Sequence, residues 1–324
     1  MLNGILGSSR RYLLNLLDRP AVVLLYHRVT LLNNDPQQLA VSPDNFYEQI
    51  GFLKKNCCLL KIEEFSDFLL SRKKLPPKSV VITFDDGYLD NYHEALPILE
   101  SHSCQALFYI TTGQIDSRKE LWWDELERIL LNHNNLPREI AIQISGKTYS
   151  FPTNNSTERK NAYDAFHPLL KFAPVSVRDK TIAELQQWAG LSDTGRSTHR
   201  LLTSGELVRM NESSAAVLGA HTVNHPALSV LTYEDQLAEI DLSRKFLENV
   251  LKQKIEHFSY PYGGKNDYNK DTIKACREIG FKLVCANKYN QVHSWSDILQ
   301  VPRILIRNWD KHSFSQYIPK FFQY

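Results

Sequence analysis

Residues 80–92 read VVITFDDGYLDNY, an apolar, β-branched run that ends on two adjacent carboxylates, Asp85 and Asp86, followed by Gly87. A run apolar at consecutive positions suits a strand covered on both faces, as in a parallel sheet. Side chains alternate across a regular strand, so Asp85 and Asp86 can serve one pocket only if the backbone leaves strand geometry. Gly87 permits that. Two like charges side by side are costly when partly buried, unless a cation or a shared proton offsets them. A solvated turn is the plainer account, but the C-terminal ends of parallel strands are where α/β folds keep their active sites.

Working outward, runs of the same kind recur at AVVLLYH (21–27), QALFYIT (105–111), AAVLGAH (215–221), IEHFSYP (255–261), FKLVCAN (281–287) and ILQVPRILI (298–306). Helical stretches alternate with them. Ser42-Pro43 sets a capping residue before a proline at the first helical position. Thr232 opens a segment in which Leu237, Ile240, Phe246, Leu247 and Val250 recur at helical spacing. This alternation predicts an α/β fold on a parallel sheet, of the kind that can close into a barrel. About 114–203 breaks the rhythm and reads as an insertion, mostly helical, with a hairpin near 140–151. Insertions at strand ends are where lids and specificity elements sit.

Bulk properties narrow the function. The 324 residues are 43% hydrophobic and 23% charged, ordinary for a soluble globular chain. A net charge of +2 and the lack of a basic stretch interleaved with aromatics argue against nucleic acid as a partner. Five cysteines without CxxC spacing suggest neither a disulfide framework nor a thiolate zinc site, and read as reduced thiols. Residues 1–20 lack a signal peptide's order of basic, apolar and small residues. They are expected to form a helical extension that docks on the body or touches a membrane surface. The expected location is therefore cytoplasmic, with peripheral membrane contact open; oligomeric state is not legible.

Two further stretches carry chemistry. GAHTVNHPALSVL ends a strand on His221 and His225, four apart, and Pro226 biases His225 towards a loop. Two imidazoles and one carboxylate make a ligand set for a divalent cation with open positions. One aspartate would then ligate, while the other stays free to take a proton from water. In FSYPYGG, 258–264, the Pro-Tyr-Gly-Gly turn either simply ends a strand or presents the backbone N–H of Tyr262 to an oxyanion.

Thr83–Gly87, His221–His225 and Tyr260–Gly263, in that order, resemble the first three motifs of the polysaccharide deacetylases, the NodB-homology or carbohydrate esterase 4 family. The resemblance covers roughly 75–115 and 205–305 with the first strand. It implies a distorted (β/α) barrel of about seven parallel strands with a largely helical insertion, spanning 21–324 as one domain. It also implies removal of N-acetyl groups from sugars with a bound divalent metal. Asp85 would be the base, Asp86, His221 and His225 the metal ligands, and Tyr262 an oxyanion donor through its N–H.

Two positions depart from the pattern. Ser259 stands where many members have the arginine that orients the base, and no Leu-x-His occurs near the C-terminus, where only His293 and His312 are found. The first strand instead ends LLYHRV, similar to a branch of the family with an early histidine, which gives His27 the role of general acid. First and last strands of a closed barrel are neighbours, so Arg303 in VPRILI is the candidate for the missing arginine, unless it is an ordinary surface or salt-bridged residue. Trp122 and Trp123 either stack on a sugar or pack the inserted helix, and Asp124 is placed with them as a substrate contact.

The function expected is a metal-dependent hydrolase acting on N-acetylhexosamine units of a polysaccharide or a lipid-linked precursor. An O-deacetylase, another amidohydrolase or an inactive carbohydrate-binding relic are the alternatives. Zinc is the expected metal, with cobalt, nickel, manganese or iron also compatible with the ligand set.

Overall fold

The computed structural model of the chain describes residues 15, 17–133 and 135–323. The expected N-terminal extension therefore lies mostly outside the described residues. Twelve strands are found among the described residues. In chain order they begin with β1 (Val22–Tyr26), β2 (Arg28–Val29), β3 (Ala40–Val41), β4 (Cys58–Leu59), β5 (Ser79–Phe84) and β6 (Ala106–Ile110). They continue with β7 (Glu139–Ile144), β8 (Lys147–Pro152), β9 (Ala216–Ala220), β10 (His257–Ser259), β11 (Leu283–Cys285) and β12 (Ile304–Leu305).

The main sheet runs β11-β10-β9-β6-β5-β1-β12, every pair parallel, with β4 added beside the start of β5. The last segment touches both edges. Val301 bridges Cys285 at the end of β11, and Ile304 and Leu305 pair with Leu24 and Leu25 of β1. The sheet thus curls into the distorted barrel that the resemblance implies. Only two residues of the 298–306 run, Ile304 and Leu305, form strand.

Each strand feeds two cores, as period-two alternation demands. Val22, Leu24, Val80, Ile82 and Phe108 pack outward against helices such as Pro43–Asn56 and Tyr233–Leu251. Val23, Val81, Leu107 and Tyr109 form the other cluster, with Phe65 and Leu69 of helix Ile62–Leu70. The predicted helix starts are present. Ser42 Oγ accepts from Asn45 N at 3.3 Å, and Thr232 caps Tyr233–Leu251 through Asp235 N.

The insertion has its own core. Helices Trp122–Leu130, Ser156–Lys171 and Val175–Ala189 pack with the antiparallel β7–β8 hairpin around Leu126, Ile140, Phe166 and Leu185. No helix among the described residues is long and apolar enough to cross a membrane.

Candidate active site

The register of β1 with β5 pairs Tyr26 with Phe84, so both strands end level and His27 emerges beside Asp85. The Asp85 N–H donates to Tyr26 O at 3.1 Å. Strand geometry then breaks as expected, but at two residues: Asp86 has φ +77° and Gly87 φ +82°. Asp86 itself takes the left-handed conformation, and so turns its carboxylate into the cavity that Asp85 faces. Thr222 (φ +64°), His225 (φ +51°) and Tyr262 (φ +59°) are left-handed as well. Such backbone costs energy and clusters at functional sites.

These turns bring Asp86, His221 and His225 together, all buried, with one donor atom from each within 4.8 Å of the others. Asp86 Oδ1 lies 3.3 Å from His225 Nε2 and 3.6 Å from His221 Nε2. His221 Nδ1 stands 2.7 Å from the carbonyl of Ser259; donating there leaves Nε2 as a free lone pair. Burial pushes both imidazoles down, to about 4 for His221 and about 3 for His225, where Arg178 adds to the effect. Both are neutral at physiological pH. Burial raises the Asp86 carboxyl. Neutral nitrogens converging on a buried carboxylate are what a divalent cation needs, and the residues fit one.

Asp85 is treated differently. Its two oxygens accept from Arg303 Nη1 and Nη2, both at 2.7 Å. The guanidinium is wholly buried, and its remaining donors reach Ser259 Oγ (2.6 Å), Thr83 Oγ1 (3.3 Å) and Ala286 O (3.3 Å). Burial works to raise Asp85, but Arg303 and then His221 outweigh it and hold the carboxyl at about 2. Ser259, in the third motif, thus shares the fork with Asp85. Gly219 makes room beneath, since a Cβ there would lie 2.8 Å from the Tyr109 ring.

The cleft at this end of the barrel measures about 390 Å³, and His27, Asp85, Asp86, His221, His225 and Tyr262 all line it. His27 is half-buried. Burial lowers its pKa while Asp86 and Asp85 act against that. Its carbonyl accepts from Asn91 Nδ2 at 2.8 Å, and Asn91 sits in a single π-turn, Asn91–Ala95. Asp90 braces the next residues, accepting from Arg28 Nε and Val29 N. The opening motif therefore also fixes the strand that carries His27, a role unread in the sequence because π-turns leave no compositional mark. The Tyr262 N–H has no internal acceptor among the described residues.

Of the aromatic cluster, only Trp123 lines the cleft, its ring 4.7 Å from that of His225. Trp122 packs behind, donating from Nε1 to Tyr262 Oη at 3.1 Å. Asp124 is not among the residues that line the cleft, and its carboxylate accepts from Tyr88 Oη at 2.6 Å. His293 contacts Asn15, and His312 lies exposed on helix Lys311–Phe321. Lining residues without a sequence signal include His167, Lys171, Asp267 and Asn287.

A profile of the polysaccharide deacetylase family matches residues 72–165 and 185–284, more than half of the chain. The chain is 22% identical over 269 residues to YxkH of Bacillus subtilis, covering 82% of this chain and 64% of that protein, so it spans somewhat less than two thirds of that relative. It is 25% identical over 303 residues to the poly-β-1,6-N-acetyl-D-glucosamine N-deacetylase of Staphylococcus aureus, covering 89% of this chain and 79% of the other. Among solved structures, the deacetylase PplD of Streptococcus pyogenes superposes with a TM-score of 0.60 at 19% identity, covering 92% and 98% of the two chains. IcaB from Ammonifex degensii gives 0.60 at 20%, covering 94% and 98%. At these identities the structural likeness concerns the fold.

Proposed function

The chain belongs to the polysaccharide deacetylase family, and on that premise we propose that it removes the acetyl group from N-acetylhexosamine units of a polysaccharide, N-acetylglucosamine foremost. The observation that carries this reading is the division of labour between adjacent carboxylates. Asp86 converges with two neutral imidazoles, while Asp85 is forked onto Arg303 and faces the same cleft. The staphylococcal relative, a poly-N-acetylglucosamine N-deacetylase, supports the substrate class.

Asp86, His221 and His225 would hold the cation, and zinc suits two imidazoles and a carboxylate with a position left open. When bound, the ion supplies Lewis-acid polarisation of the amide carbonyl and acidifies water. Asp85, kept ionised and aimed by Arg303, takes a proton from the attacking water. The Tyr262 N–H donates to the carbonyl oxygen as it gains negative charge. His27 gives a proton to the departing nitrogen, so that the C–N bond breaks to yield acetate and a free amine.

Acetate release from β-linked N-acetylglucosamine oligomers tests this, beside O-acetylated sugars, after chelation and with zinc restored. Release from the N-acetyl substrates only, lost on chelation and regained with zinc, is expected. Asp85→Asn should bind zinc and lose turnover. Release indifferent to chelator, preference for O-acetyl substrates, or full activity in Asp85→Asn would overturn the reading.

A further inference from the structure

The two imidazoles assigned to the cation are joined by a strained turn, in which Thr222 (φ +64°) and His225 (φ +51°) are both left-handed. Such backbone outside glycine persists only where its surroundings hold it. One side of the turn is held by the chain after β6, where Thr112 N donates to Thr222 O at 3.1 Å and Gly113 N to Val223 O at 2.8 Å. The other side is held by a single side chain, Glu239 of helix Tyr233–Leu251. Glu239 Oε2 accepts from Val223 N at 3.0 Å and Asn224 N at 2.9 Å, and Oε1 accepts from Asn224 Nδ2 at 2.7 Å. Elsewhere on this helix, Asp241 and Glu248 pair with Arg244, whereas Glu239 has no ion pair among the described residues. Its charge is met by the turn's own donors, since successive backbone N–H groups in such a turn make a concavity for an anion.

We infer that Glu239 is a positioning residue: its carboxylate fixes the turn between His221 and His225 and so sets the two imidazoles for the cation before it binds. The inference rests on the metal-dependent reading of the site. His221 is anchored without the turn, because its N–H donates to Ile110 O at 3.0 Å and its Nδ1 stands 2.7 Å from Ser259 O. His225 lies beyond the turn. Its N–H donates to Thr222 Oγ1 at 3.1 Å, inside the turn itself, and its carbonyl accepts from Arg178 and Tyr262 only at 3.4 Å. Its Nδ1 has no partner among the described residues, so packing on Trp123 and Tyr262 and the course of the turn place the ring. Hydrogen bonds to an ionised acceptor are about twice as strong as neutral ones, and Glu239 makes three. Without them the turn relaxes towards ordinary backbone, and the cation must restore the geometry at the expense of affinity. Partners behind metal ligands are typically worth about 10–100-fold in affinity.

The test measures zinc affinity by competition with a chromogenic chelator in the wild type, Glu239→Leu, Glu239→Gln and Asn224→Ala, each checked for folding by circular dichroism. In parallel, hydrogen exchange of the Val223 and Asn224 amides is followed in chelator-treated protein, and acetate release is assayed from β-linked N-acetylglucosamine oligomers. Glu239→Leu should bind zinc at least tenfold more weakly and exchange those amides faster, with the rest of the helix unchanged. Glu239→Gln should recover most of the loss, because its oxygen still takes the two backbone donors and a flipped Asn224 amide can accept from its NH2. Asn224→Ala, which removes one of the three bonds, should weaken zinc about threefold. Affinities within about twofold of wild type in Glu239→Leu and Asn224→Ala overturn the inference and leave the deacetylase reading intact; if Glu239→Leu does not fold, Asn224→Ala decides alone. A wild type that binds no zinc overturns both. Zinc binding that weakens as expected while no sugar releases acetate overturns the deacetylase reading, and the role of Glu239 stands.

Discussion

Arg303 is the residue on which the site most depends outside its motifs, and replacing it with methionine tests that. The guanidinium is wholly buried and makes five hydrogen bonds, two of them to Asp85 at 2.7 Å. Two unit charges about 4 Å apart in a medium of effective dielectric near 20 attract by roughly 4 kcal/mol. Removing one partner of a buried pair costs about 3–5 kcal/mol, because the other charge stays without compensation. The two estimates agree, and against a typical stability of about 5–15 kcal/mol the loss is large. Equilibrium urea denaturation should show Arg303→Met with a lower midpoint and an unchanged slope. Turnover should fall by about 100-fold or more, since Asp85 loses both its aim and its ionisation. Adding Asp85→Leu to Arg303→Met should restore most of the stability and none of the turnover, because an apolar pair replaces an ion pair at little net cost. An Arg303→Met protein within about 1 kcal/mol of wild type, or one still active, would refute the argument that this fork holds the base.

Other outcomes follow from particular contacts. Gly219→Ala forces a Cβ to 2.8 Å from the Tyr109 ring and 3.0 Å from His257 O, so urea melts should show a loss of about 1–3 kcal/mol. Removal from water pushes half-buried Asp124 up to about 8 despite Arg28 and Tyr88, well above its ordinary value of 3.8. The folded state therefore holds a proton that the unfolded state gives up between those values, and wild-type stability should decline relative to Asp124→Asn as pH rises from 4 to 8. The slope is at most about 1.4 kcal/mol per pH unit, and parallel urea midpoints across that range would contradict it. His225→Ala removes one of the three proposed ligands, and competition with a chromogenic chelator should report zinc affinity weaker by at least tenfold. Asn91→Leu takes the side-chain donor from the His27 carbonyl and should lower kcat more than it raises KM.

Much of the fold was written locally. Apolar runs ending in charged or glycine-bearing turns marked the parallel strands, and Ser42 and Thr232 marked helix starts, because strand burial and capping act over a few residues. The adjacency of Asp85 and Asp86 also carried its own meaning: no regular strand aims neighbouring side chains into one pocket, so a break was required. No single stretch contains the meeting of parts far apart along the chain. Arg303 could be named as the candidate partner of Asp85 only by assuming that the barrel closes, and it reaches Asp85 because the last segment bridges β11 to β1. In the same way, Ser259 joins the fork on Asp85 only because β10 brings its hydroxyl to that guanidinium. Trp122 and Trp123, neighbours in sequence, part company because one helix turn points them to different places. His167 and Lys171 had no motif to announce them, since their place on the cleft wall depends on how an inserted helix docks against a barrel loop. Local propensity and burial settle the elements; closure and docking, which are long-range, settle which side chains share a cavity.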